Sequence, residues 1–195
     1  NNISDRAKNI LPDTSAIFEY VPPRQPGFNE LLIVEIMADH TPNVELPEYE
    51  YLEIFNPLDD SLLVKGLQLK IRGDTKVLDD FEIGPEEYII LCPNPAVDAF
   101  SEFGKVIGIS NWKALLNNGD TIWLLNRYGE QVFSIAYQKD WYDDYEKAEG
   151  GYSLEMIDTN YPCGESANWK ASENAEGGTP GKSNSIRASK PDLTN

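Results

Sequence analysis

From residue 31 onward the chain runs in short apolar bursts separated by turn residues. Residues 31–37 (LLIVEIM) are apolar with one interior acid, Glu35. Residues 49–55 (YEYLEIF) set Tyr49, Tyr51, Glu53 and Phe55 against Glu50, Leu52 and Ile54, and stop at Asn56-Pro57. A period of two is the side-chain period of a strand. Residues 62–71 (LLVKGLQLKI) predict a third strand with Gly66 as a bulge or bend. Residues 81–83 and 88–92 flank the turn GPEE at 84–87. Residues 121–126 and 131–137 flank the polar loop RYGE at 127–130, a hairpin signal. Residues 152–157 predict a last strand. Helical periodicity never extends over about eleven residues; 98–103 and 111–116 each leave room for one short turn of helix. Short strands between turn signals predict an all-β sandwich.

The flanks read differently. Residues 1–29 predict a lead-in, polar over 1–9 and then broken by Pro12, Pro22, Pro23 and Pro26. Within it, residues 15–21 (SAIFEYV) alternate at Ile17, Glu19 and Val21, so the stretch is a linker or the last hairpin of a preceding β-domain. The chain starts at Asn1 without a basic-then-apolar leader, and the expectation is an excised piece of a longer protein. Residues 158–195 are rich in Asn, Ser, Gly, Pro and Lys, and predict surface coil. Trp169 inside that polar stretch is costly to leave in water, so it is expected to anchor the coil onto the sandwich. Residues 187–195 predict a linker.

Composition narrows the function classes. A chain of 195 residues, 41% hydrophobic and 11% aromatic, can bury a sizeable core without metal or partner. Its 16 Lys and Arg against 33 Asp and Glu leave a net charge of −17. That charge repels phosphate backbones and anionic lipid, which argues against nucleic-acid partners. The longest apolar runs, 31–34 and 88–92, are far short of a membrane span, so no membrane insertion is expected. His40 is the one histidine, so histidine-dependent catalysis or zinc binding would have to run through it. The glycines at 177–181 precede no helix and are not a phosphate loop.

Several segments form an ordered series: LIVEIMAD (32–39), YLEIFN (51–56), GLQL (66–69), GPEEYIILC (84–92) and NNGDTIWL (117–124). Trp141-Tyr142, GGYSLEMI (150–157), Pro162-Cys163, NWKAS (168–172) and GGTPGKSNS (177–185) complete the series. Together they resemble the bacterial lamin tail domain of modular surface and secreted proteins. The resemblance spans roughly residues 30–186. It implies an immunoglobulin-like β-sandwich acting as a non-catalytic interaction or structural module of a larger extracellular or cell-surface protein, without cofactor. Nuclear relatives in that family contact chromatin and proteins; the acidity of this chain departs from the chromatin role.

Four constellations are candidates for chemistry. Cys92 and Cys163 are either two thiols or one disulfide; a bridge would tie the coil carrying Trp169 to the core, and it fits an extracellular, periplasmic or cell-surface compartment. Trp141, Tyr142 and Tyr145 lie in an acidic loop and are candidates for an aromatic contact with protein or glycan at the cell surface, the alternative being that Trp141 packs beneath the loop. The alternative function is accordingly a carbohydrate-binding accessory module for a catalytic domain elsewhere in the full protein. Asp140, Asp143 and Asp144 crowd the same loop and are a weak calcium candidate, although the D-x-[DN]-x-[DN]-G signature is missing. Glu35 and Glu53 sit inside apolar strands. There a carboxylate must be hydrogen-bonded or paired; a buried structural role is expected, ahead of a glycosidase-type acid pair.

Overall fold

The computed structural model describes residues 24–188. Most of the lead-in, residues 1–23 with the alternating stretch at 15–21, and residues 189–195 of the expected linker lie outside the described residues. The rest is β-structure. A six-stranded sheet has the order β12-β11-β1-β2-β7-β8, a four-stranded sheet the order β10-β9-β4-β5, and β3 pairs with β6. The strands are β1 Leu32–Met37, β2 Tyr51–Phe55, β3 Leu62–Val64, β4 Gln68–Ile71, β5 Asp74–Val77 and β6 Phe81–Ile83. They continue as β7 Tyr88–Pro93, β8 Lys105–Ile109, β9 Gly119–Leu125, β10 Gln131–Gln138, β11 Leu154–Met156 and β12 Trp169–Ala171. One short helix, α1 Val97–Phe100, follows β7. All pairings are antiparallel except β7 with β8.

The two large sheets face each other over one core, built from Leu52, Ile54, Ile89 and Leu91 on one side and Leu69, Ile122, Leu124 and Ile135 on the other. The four-stranded sheet behaves as alternation predicts: in β9, Asp120, Ile122 and Leu124 are buried and their neighbours half-exposed. The six-stranded sheet does not. Every residue of β1 and β2 is buried, because the outer face of this sheet is covered as well. Under α1 that face is apolar, with Met37, Tyr51, Ile90 and Cys92 packed against Leu46, Ala96 and Phe100. Beside it the cover is the 177–187 segment.

Three departures from the sequence reading have local causes. The stretch 62–71 is two strands in different sheets, not one bulged strand; Gly66 takes φ +59 at the crossover between them. Residues 111–116 form no helix, whereas α1 overlaps the start of the other expected turn, 98–103. Trp169 is 2% exposed and anchors the tail as expected, and it does so inside an additional strand, β12, paired to β11. Asparagines from three segments of the ordered series close the loops around these strands. Asn56 donates to Asp60 O and Gly84 O, both at 2.8 Å. Asn168 donates to Asp158 O at 2.9 Å, and Asn184 donates to Val34 O at 2.9 Å and Met156 O at 2.8 Å.

Candidate functional site

The most unusual chemistry lies on the covered face of the six-stranded sheet. In the register of the sheet Glu35 stands opposite Glu155 on one side and Glu53 on the other. Three adjacent strands thus carry three carboxyls in a row, each 0% exposed. A row of like charges without water is costly unless it is hydrogen-bonded or protonated. The donors come mostly from the 177–187 segment, which crosses the row as a strap. Glu35 Oε1 accepts from the Thr179 amide at 2.8 Å, the Tyr51 hydroxyl at 2.7 Å and the Ser153 hydroxyl at 2.6 Å. Glu155 accepts from the Thr179 hydroxyl at 2.9 Å, the Ser185 hydroxyl at 2.8 Å and the Ile186 amide at 3.3 Å. Glu53 accepts from the Gly181 amide through Oε1, while its Oε2 is buried without a partner among the described residues.

The strap reaches the sheet because its residues are small. A Cβ at Gly178 would stand 2.5 Å from the Tyr51 hydroxyl and 2.7 Å from Glu35 Oε1. Burial, and then the neighbouring Glu155 carboxylate, push Glu35 up to about 7. Glu53 is also pushed well up, by burial and by Glu35. The expected structural role of Glu35 and Glu53 therefore holds in its coarse form: both are buried and hydrogen-bonded. As an acid pair they have no opening to solvent in this structure, since both are covered by the strap.

The expected ligand surface is divided. The turn Lys139–Tyr142 is one turn of 3-10 helix, and it sends its aromatic neighbours opposite ways. Trp141 is half-buried and stands between two cavities. One, of about 430 Å³, is lined by Phe28, Asn29, Phe133, Ser134 and Cys163 together with Trp141. The other, of about 390 Å³, is lined by Ser166, Trp169 and Lys170 together with Trp141. Tyr142 is 4% exposed and belongs to the core, so it is not available as a contact residue; burial raises its hydroxyl pKa. Tyr145 is 82% exposed. The expected trio therefore reduces to Trp141 and Tyr145.

Asp140, Asp143 and Asp144 are all exposed. Asp144 is engaged locally, accepting from the Glu146 amide at 3.0 Å and the Lys147 amide at 3.1 Å. Among the described residues no three Asp, Glu, His or Cys side chains converge as a metal site requires. His40 has a buried Nδ1 without a partner among the described residues.

The disulfide expectation is corrected. Cys92 and Cys163 are both free thiols. Cys92 is buried in the outer-face cluster under α1, and burial pushes its thiol up to about 11. Cys163 is exposed on the far loop, where it accepts a 3.4 Å contact from the Asn29 amide group and lines the Trp141 cavity. The two residues occupy different neighbourhoods, Cys92 against Ala96 and Phe100 and Cys163 against Asn29 and Pro162, so loop closure between them has no geometric basis here.

Sequence reasoning missed Glu155 and the strap. A usable signal was present: three strands each read as one acid inside an apolar run (LIVEIM, YLEIF, LEM), and one late segment (GGTPG) was small enough to lie on them. A scan against protein-family models finds no match for this chain, and a search of curated proteins finds none.

Proposed function

We propose that this chain is a non-catalytic β-sandwich module of a larger extracellular or cell-surface protein, of the lamin tail type its ordered segments resemble, acting through surface contacts with protein partners and neighbouring domains. One observation carries the reading. The carboxyls best placed for acid–base chemistry are sealed under the strap, whereas the half-buried Trp141 is flanked by open cavities. Asn56, Asn168 and Asn184 hold loops, and Glu35, Glu53 and Glu155 hold the strap, which is the pattern of a scaffold. The compartment now rests on the resemblance alone, because the free thiols remove the disulfide argument for it.

The Trp141 cavity favours a second reading, a carbohydrate contact serving a catalytic domain elsewhere in the full protein. Its aromatic wall of Phe28 and Trp141 is edged by Asn29, Gln131, Ser134 and Glu165, the mix of stacking faces and hydrogen-bonding groups that a sugar uses. Two measurements decide between them. The protein is screened against glycosides, esters, phosphoesters and peptides, where turnover above the buffer blank overturns the non-catalytic reading. Wild type and Trp141→Ala are then compared on an array of polysaccharides. Retention by wild type that Trp141→Ala abolishes, with the melting midpoint moved by no more than ~4 °C, establishes the glycan reading. No retention by wild type leaves the protein-contact reading standing.

A further inference from the structure

The buried acid row raises a question of proton accounting. The Thr179 hydroxyl lies 2.9 Å from Glu155 Oε1 and 3.3 Å from Glu35 Oε2. It has one hydrogen to give. With that hydrogen on Glu155, the shorter contact, the contact to Glu35 is a hydrogen bond only if Glu35 carries a proton and donates it to Thr179. Glu35 Oε1 meanwhile keeps its donors from Tyr51, Ser153 and the Thr179 amide. The result is a continuous chain, Glu35 to Thr179 to Glu155, whose central member belongs to the strap.

No compensating cation stands in the row. Among the described residues no lysine or arginine forms an ion pair with Glu35, Glu53 or Glu155. On the strap, Lys182 is exposed. Arg187 at its end turns to the Tyr88 hydroxyl at 2.7 Å and the Phe55 ring at 5.2 Å. The sheet beneath contributes Tyr51 and Ser153 as neutral donors, and Gly181 contributes only its amide to Glu53. Glu53 Oε2, buried and unpartnered, has nothing to stabilise a charge. Three full negative charges side by side in this setting, without water or a cation, are strongly disfavoured.

We propose that the 177–187 strap is a proton-held latch: Glu35 and Glu53, in the row with Glu155, retain protons while the strap is closed and surrender them when it lifts, so that rising pH releases the strap from the sheet. The direction follows from linkage. A glutamate in the open state titrates near its ordinary value of ~4.3, while closed Glu35 is raised to about 7. Between those values the closed form holds the extra proton, and each pH unit favours opening by about tenfold per group. Above the closed value the Glu35 contribution is flat. Glu53, shifted in the same direction by burial and by Glu35, adds to the same effect. Lifting the strap uncovers the acid row itself, an anionic sheet face absent from the closed surface.

The test is hydrogen exchange of the strap amides in the whole chain from pH 5 to pH 8, with each rate divided by its intrinsic value at that pH. Protection at Thr179, Gly181 and Ile186 is expected to fall by at least about tenfold, while the β9–β10 hairpin amides hold theirs. Glu35→Gln and Glu53→Gln each supply a neutral isostere of the protonated acid, and the double variant is expected to keep the strap protected across the range. Wild-type protection that does not change, or a fall that the glutamine variants share, overturns the latch. Should the variants fail to fold, carbon-13 carboxyl titration of the wild type decides. Glu35 or Glu53 titrating above pH 6 supports the proposal, and both titrating in the ordinary carboxylate range refutes it.

Discussion

Glu35, Glu53 and Glu155 on the covered sheet face and Asp140, Asp143 and Asp144 in the aromatic loop carry the same functional group in opposite solvents. The loop aspartates are exposed, and the one with clear partners, Asp144, accepts from two nearby amides. Its carboxylate keeps water on its other side. The sheet glutamates are 0% exposed and depend on donors brought from up to 144 residues away in the chain. A cluster of acids in sequence is therefore a weak sign of a metal or active site. What distinguishes the two clusters is whether apolar neighbours in the strand force the acid inward, as Ile33, Val34, Ile36 and Met37 do around Glu35.

The contrast can be broken most sharply by mutation. Glu35→Leu strands the Tyr51 hydroxyl, the Ser153 hydroxyl and the Thr179 amide without an acceptor, and is expected to lower unfolding free energy by about 4 kcal/mol. Asp144→Ala removes a local cap and is expected to cost about 1 kcal/mol. Urea unfolding of the two variants measures both; equal losses would dissolve the distinction between the regions.

A smaller effect is expected from crowding the strap. Gly178→Ala pushes a methyl against Tyr51 and Glu35, at a cost of about 2 kcal/mol. Gly129→Ala is the control in the β9–β10 loop, where φ is +80 and no atom lies within 4 Å of the new Cβ. Its cost is the left-handed backbone alone, about 1 kcal/mol. Strap exchange should rise in the first variant and stay unchanged in the second.

The mildest probe leaves stability untouched. Each region carries its own cysteine, Cys92 in the covered face and Cys163 at the Trp141 cavity. Alkylation of the native, unreduced protein is expected to add one label, at Cys163, and urea to admit a second at Cys92. Two rapid labels in the native state would mean the covered face is open. No label in urea would mean the thiols are bridged.

Much of the architecture was legible because inward-facing residues repeat with period two. The β9–β10 hairpin could be read from 121–126, RYGE and 131–137 almost as it stands. The same rule failed for β1 and β2, since periodicity reports one buried face and these strands have two. It also missed β5, whose residues DTKV are polar at an edge, and β8, whose parallel pairing with β7 leaves no hairpin signal. The acid row was half legible: the need for Glu35 and Glu53 to be bonded follows from their neighbours, but the donors do not. Thr179 and Gly181 lie in a stretch whose composition is that of a loop, and only the fold brings it onto the sheet. Tyr142 and Cys163 were misjudged for one reason. A loop position does not say which side chain turns inward.

The strap also bears on the order in which this chain can be made. Asn184 closes on Val34 across 150 residues, and Thr179 on Glu35 across 144. During synthesis β1 and β2 emerge with their acids well before the strap donors, which follow 144 residues after Glu35 and 128 residues after Glu53. Until then the central strands of the larger sheet must keep their carboxyls wet, and the sheet cannot be sealed on that side. Such long-range closure slows folding. It also places a quality checkpoint near the end of the domain, because a chain cut before residue 177 would present a finished hydrophobic interior beneath an unfinished anionic face.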